Sequence, residues 1–397
     1  MTSPMTTMAP VGPTDMPTEI VSMILGFVDD PVDFCAARAA HRCFDVTSQD
    51  EILHRRMMPA WLSVDRSRLF RRNNARAVRA LGERGIGFSR GDVETAAAHG
   101  AADVLRLFCF PYLTLLPHVA ASATATAAAH GHLDVVRLLH ESGLDLVCTD
   151  AMDDAALGGN IDVVRYMHER WQAPCTTDAM DNAALNGHLD IVAFLHVNRT
   201  EGCTTDAMDF AAANGHMAIV AFLHTNRTEG CTTDAMDLAA AGGHLDVVRF
   251  LHENRKEGCT RAAMDRAAEN GHLDVVVFLH ENRGEGCTAD AMDDAALHGH
   301  LDIVVFLHRN RTEGCTTDAM DFAAMAGHLD VVVFLHENRS EGCTPRAIDR
   351  AAGHGHLAMV SFLCEARIGT FTERGVRAAR DRGHLDIVTY LVSRLDK

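Results

Sequence analysis

The sequence predicts an all-α protein, most of it a solenoid of short two-helix repeats. Three observations carry this. Glycines recur every 28 residues without a slip: Gly131, Gly159, Gly187, Gly215, Gly243, Gly271, Gly299, Gly327, Gly355 and Gly383. Cysteines keep the same period from Cys175 to Cys343, with Cys148 one residue out of step. Within a unit the conserved small and apolar side chains fall on one stripe of a helical wheel. A period of this length marks stacked supersecondary units, each too small to bury its apolar face alone.

The unit from Cys203 to Gly230 shows the expected elements. Its first helix is capped by Thr204, and the equivalent Thr344 stands before Pro345, a favoured residue of a first helical turn. Asp206 falls in the first turn, where a carboxylate suits the helix dipole. Gly215 ends the helix. A second helix is expected from about His216 to Asn226, with Gly230 in the loop that follows.

The first helix divides into two faces. Met208, Ala211, Ala212 and Gly215 lie on one and barely change between units. Asp206, Phe210, Ala213 and Asn214 lie on the other, where the units differ. The column of Phe210 runs Asn182, Phe210, Leu238, Arg266, Asp294, Phe322, Arg350. Variation confined to one face means that stacking does not need that face. A target-binding surface is therefore expected at Leu185, Phe210, Leu238, Arg266, Glu269, Asp294, Leu297, His298, Phe322 and Met325. The second helix varies at the columns of Ala221, Thr225 and Thr228, a solvent stripe.

Charge narrows the partners. The 397 residues carry a net charge of -18, yet residues 1–90 hold 12 Arg against 10 acidic side chains. The array is therefore strongly acidic, which argues against nucleic acid and anionic membranes. Basic or apolar protein surfaces fit better. Residues 1–14 are expected to be disordered, with no basic-then-apolar leader, and no apolar run nears the ~20 residues that span a bilayer. A cytoplasmic or nuclear monomer is expected. In such a reducing compartment the 12 Cys stay free, and the sequons at Asn198, Asn226, Asn310 and Asn338 go unused.

Of the 24 His, nine follow the repeat glycine, as His188 and His216 do, and eight occupy the column of His196 and His224. Beside the Cys column they suggest zinc, but no unit contains a Cys-x2-Cys or His-x3-His pair. No metal and no cofactor are expected. The Asp209 column offers carboxylates without a paired acid and base, and neither a nucleophile elbow nor a phosphate loop occurs. Repetition in every unit assigns these residues to architecture, so the chain is not expected to be an enzyme. Lys256 and Lys397 are the only lysines against 34 Arg. A ligase adaptor with few lysines would resist modifying itself, but a GC-rich genome gives the same composition.

The string Ala183-Ala184-Leu-Asn-Gly187-His188-Leu-Asp-Ile-Val192-Ala-Phe194-Leu195 resembles the ankyrin repeat, in ten or eleven copies over residues 91–397. Two departures matter. The period is 28 rather than the usual ~33, and Thr-Asp-Ala-Met-Asp replaces the Thr-Pro-Leu-His signature. The resemblance implies a helix-pair stack whose projecting β-hairpin has shrunk to a tight loop, shifting target contact onto the first helices. The wording is similar to that of arrays in protists and their large viruses; a viral chain of this kind would act in a host cell.

Residues 15–60 differ. Met16-Pro17-Thr18-Glu19-Ile20 opens a helix with Ile20, Ile24 and Leu25, and Asp30-Pro31 opens another with Phe34, Arg38 and Phe44. This resembles an F-box, the helical module that docks the Skp adaptor of cullin-based ubiquitin ligases. The resemblance implies docking through Met16, Pro17, Ile20, Ile24, Leu25, Phe34, Arg38 and Phe44. It departs from the family at Ala40-His41, where Val-Cys is usual, and at Phe44, where Trp is usual. Residues 61–90 are expected to form an Arg-rich helical linker, with Leu69, Phe70, Val78 and Leu81 interleaved. Together these features imply a ligase adaptor that recruits the Skp adaptor at one end and an unidentified target at the other. The competing expectation is a stand-alone ankyrin scaffold or inhibitor whose N-terminal helices cap the stack.

Overall fold

The computed structural model describes Trp61 and residues 66–84, 86–109, 117–142 and 150–395. The F-box-like segment 15–60, with all its expected docking residues, lies outside the described residues, as does Cys148. The chain divides into two compact units, Met1–Cys175 and Thr176–Lys397. Every regular element among the described residues is helical, with no strand.

In the first unit the helices are α1 (Arg66–Arg71), α2 (Ala75–Glu83), α3 (Arg90–Ala98), α4 (Ala102–Cys109), α5 (Pro117–Ala129), α6 (Leu133–Glu141), α7 (Asp150–Leu157) and α8 (Ile161–Tyr166). A π-turn, Met167–Trp171, follows α8. Leu69, Phe70, Val78 and Leu81 are buried, so the Arg-rich stretch forms a helix pair of its own, with α1 packed on α3. The exposed Arg68, Arg71, Arg72, Arg76 and Arg79 face away from that core.

The second unit continues with α9 (Asp178–Leu185), α10 (Leu189–Asn198), α11 (Asp206–Ala213), α12 (Met217–Asn226), α13 (Asp234–Ala241), α14 (Leu245–Asn254), α15 (Ala262–Glu269) and α16 (Leu273–Asn282). It ends with α17 (Asp290–Leu297), α18 (Leu301–Asn310), α19 (Thr317–Ala326), α20 (Leu329–Asn338), α21 (Pro345–His354), α22 (Leu357–Glu365), α23 (Glu373–Asp381) and α24 (Leu385–Leu395). Within each unit, odd-numbered helices stack on odd-numbered neighbours and even-numbered helices form a second layer.

The first helices are mostly eight residues long, as in α11, below the length at which an isolated helix persists in water. Stacking must therefore supply their stability. Ala207, Ala211 and Ala212 are at most 0% exposed, which lets neighbouring backbones approach closely. Ile219, Val220 and Leu223 of α12 fill the space between the layers, each large aliphatic contributing about 1.5–3 kcal/mol. The turn between the two helices depends on glycine. Gly215 sits at φ +71, and a Cβ there would lie 2.6 Å from Nδ1 of His244 in the next repeat. Conformation and space both exclude a side chain.

Candidate protein-binding face

Three sets of polar contacts, two of them periodic, hold the first helices in register and so position the variable face. The first joins Asp209 to the next repeat. Its carboxylate accepts from the Thr232 amide at 2.8 Å and from the Thr232 hydroxyl at 2.7 Å. The Thr232 oxygen in turn accepts from the amide of Asp234 at 3.1 Å, capping α13. The pattern recurs from Asp181 with Thr204 to Asp349 with Thr372. Burial raises the pKa of Asp181, Asp209, Asp265, Asp293 and Asp321, and outweighs the hydrogen bonds from threonine, which lower it.

The second, present in some repeats only, comes from the residue after the repeat glycine. His216 Nε2 lies 3.2 Å from the Leu185 carbonyl, and His132 Nε2 lies 2.9 Å from that of Ala98. In this position Asn160 replaces histidine, and its Nδ2 donates to the carbonyls of Ala128 and Ala129. Each reaches back one repeat to a carbonyl that the end of a first helix leaves unsatisfied.

The third lock closes the loop between successive repeats. In the loop after α12, Arg227 forms a two-pronged ion pair with Glu229, and the amide of Thr228 donates to the same carboxylate at 2.9 Å. The guanidinium lies over Gly202 of the preceding loop, 2.5 Å from where a Cβ would stand. Burial would raise the Glu229 carboxyl, but the Arg227 pair and backbone donors pull it down to about 2. The pair recurs from Arg199–Glu201 to Arg339–Glu341. Beneath it lies the Cys column. Burial, with Glu229 and Asp181 nearby, pushes the Cys203 thiol up to about 12, and Cys231, Cys259 and Cys287 rise to about 11 for the same first reason. Such thiols resist the deprotonation that nucleophilic attack and metal binding require. Among the described residues no group of three or more His, Cys, Asp or Glu is placed to hold a metal.

What remains on the first helices is the variable face. Phe210 is 37% exposed, and Leu185, Leu238, Leu297, Phe322 and Met325 are half-buried. Arg266 and His298 are exposed, while Glu269 and Asp294 are half-buried. Burial, then Glu269, raises the Asp294 pKa. His298 Nδ1 lies 3.0 Å from the Asp294 carbonyl. Phe322 and Met325 share a neighbour, Arg350. Its guanidinium lies 5.9 Å from the Phe322 ring centre and donates to the Met325 sulfur at 3.7 Å. Column variation alone could not reveal that contact, which needs a long side chain reaching back from the next unit. The periodic Asp–Thr pairing was present in the sequence as an Asp followed 23 residues later by Thr, but only packing joins the two.

A stack of helix pairs, locked by repeated contacts and varied on one face, defines a helical-repeat binding scaffold. Models of ankyrin repeats match the chain, one of three copies over residues 208–293 and one of many copies over residues 125–168, 180–224, 292–336 and 320–363. Over these stretches the chain belongs to the ankyrin-repeat family, and the matching models are of repeats rather than a catalytic domain. No curated protein sequence matches it. Among the described residues no helix is long and apolar enough to cross a membrane.

Proposed function

We propose that the array binds a target protein through the variable positions of α9 to α21. The observation that supports this most is the Phe210 column. Its side chains are exposed or half-buried and change in size and charge from unit to unit, while the buried columns beside them stay constant. Phe210 and Leu238 form an apolar stretch, Arg266 and Asp294 a charged one, and Phe322 with Met325 a second apolar one. A partner with two apolar contacts separated by polar groups fits this order. Affinity purification with quantitative mass spectrometry tests it. A protein captured by the native chain should be lost with Phe210→Ala plus Arg266→Glu and retained with Thr225→Ala on the second-helix stripe. Retention by both variants would remove this face from binding.

A finer reading makes the chain a substrate adaptor of a cullin-type ubiquitin ligase. The Met16-Pro17-Thr18-Glu19-Ile20 opening favours it. In that reading Met16, Pro17, Ile20, Ile24, Leu25, Phe34, Arg38 and Phe44 dock a Skp-family adaptor, and tethering raises the target's effective concentration near the ligase. The full chain should then pull down purified Skp adaptor, and Pro17→Ala with Ile20→Asp should abolish capture. No capture by the native chain leaves the stand-alone scaffold.

A further inference from the structure

We propose that the C-terminal end of the array carries a second binding groove, for an acidic peptide segment, with Arg346, Arg374 and Arg377 holding its carboxylates. The inference does not depend on the role of the Phe210 face.

Charge reverses at this end. Residues 176–344 hold 27 acidic against 11 basic side chains, whereas residues 345–397 hold 6 against 9. The reversal falls at defined repeat positions. The column of Asp206 reads Asp178, Asp206, Asp234, Ala262, Asp290 and Asp318, and then turns to Arg346 and Arg374. The column of the locking aspartates runs unbroken to Asp349 and then becomes Arg377.

These arginines line one groove of about 540 Å³, together with Asp349, Thr372 and Glu373. Asp349 forms no ion pair with them. Both its oxygens are engaged by Thr372, accepting from the amide at 2.8 Å and the hydroxyl at 2.6 Å. The ion pairs at this end join Arg339 to Glu341 and Arg394 to Glu365. Among the described residues Arg346, Arg374, Arg377 and Arg380 take part in none, which leaves Glu373 as the one uncommitted acid of the groove. A second hollow of about 380 Å³ adjoins it, sharing Thr372, Glu373 and Arg377 and adding Phe371, Val376 and Arg380.

Exposure to solvent accounts for polar side chains on these helices but not for the sign of their charge. Aspartate, the residue of these columns elsewhere, would serve as well. Nor does it account for the half-buried Phe371 and Val376 beside the arginines. Guanidinium groups match carboxylates with two parallel hydrogen bonds, and an apolar shelf adjoining them suits a peptide with apolar residues among acidic ones rather than a free ion.

The test measures fluorescence anisotropy of a labelled decapeptide of glutamates interrupted by leucines, titrated with the full chain. The native chain should bind it, and added salt should weaken binding. Arg374→Asp with Arg377→Asp, which restores residues the array uses at these positions, should weaken binding by about tenfold or more without lowering the melting temperature. Arg346→Glu alone should act in the same direction and serves if the double variant fails to fold. Replacing the peptide's leucines by serines should also weaken it. No binding by the native chain, or equal binding by folded Arg374→Asp/Arg377→Asp and Arg346→Glu variants, overturns the proposal. So does inorganic phosphate displacing the peptide at equal concentration, which would make the groove a simple ion site.

Discussion

Asp209 is buried at 4% exposure, yet both carboxylate oxygens are matched by Thr232. Removing one partner should therefore cost more than the bond itself contributes. Thr232→Val is expected to destabilise the chain by about 1–3 kcal/mol, because it leaves a buried carboxylate half-satisfied; a denaturant midpoint within error of the native one would deny the lock any weight. Gly215→Ala should cost at least about 1 kcal/mol, since a left-handed residue gains a Cβ against His244. Much of this scale was legible in the sequence. The Thr204 cap, the Gly215 turn and the split between Met208 and Phe210 follow from local chemistry and helical spacing. The Asp209–Thr232 bond and the cover of Arg350 over Phe322 were not, because each joins side chains of different repeats. That cover bears on the binding face. Phe322→Ala should lose about 0.5–1 kcal/mol of cation–π contact, so it is not wholly neutral to stability, whereas the more open Phe210 is expected to be.

Helices as short as α11 survive because each is gripped on two sides. Ala211→Asp places an unpaired charge at a position with 0% exposure. It should disrupt the neighbouring repeats, read as lost amide protection across α11 and α13 in hydrogen exchange. Protection unchanged in those helices would mean that the stacking face is misassigned. The loop between repeats is short and closed by side chains. The Arg227–Glu229 pair closes the chain over Gly202 within a few residues. Sequence length alone anticipated the shortening, but the side chains that close the loop emerge only from its packing. Likewise the Arg-rich stretch before the array carried its apolar residues openly, while its packing as the α1–α2 pair on α3 is a tertiary fact.

Across the whole molecule, two titrating columns oppose each other. The raised aspartates of the first lock contribute stability that is complete below the unfolded pKa of about 3.9 and is lost as pH rises through their folded values. The lowered glutamates behave oppositely. Glu229 and Glu313, pulled down to about 2, contribute stability above the unfolded value of about 4.3 that is lost as pH falls through that folded pKa. The melting temperature should therefore rise as pH falls through the folded values of the aspartates and fall as pH drops further towards about 2, where the glutamates protonate. Arg227→Gln with Arg311→Gln should flatten the lower limb; an unchanged limb would remove the Arg–Glu pairs as its cause. The acidic array so stabilised presents its variable face to a partner, and that is the account's central claim. The measurement that tests it most directly is calorimetric titration of a captured target with the native chain and with Phe210→Ala/Phe322→Ala. The account predicts a loss of about 2 kcal/mol or more in binding with a melting temperature close to native. A double variant that melts several degrees lower while keeping full affinity would contradict it, because those phenylalanines would then belong to the core.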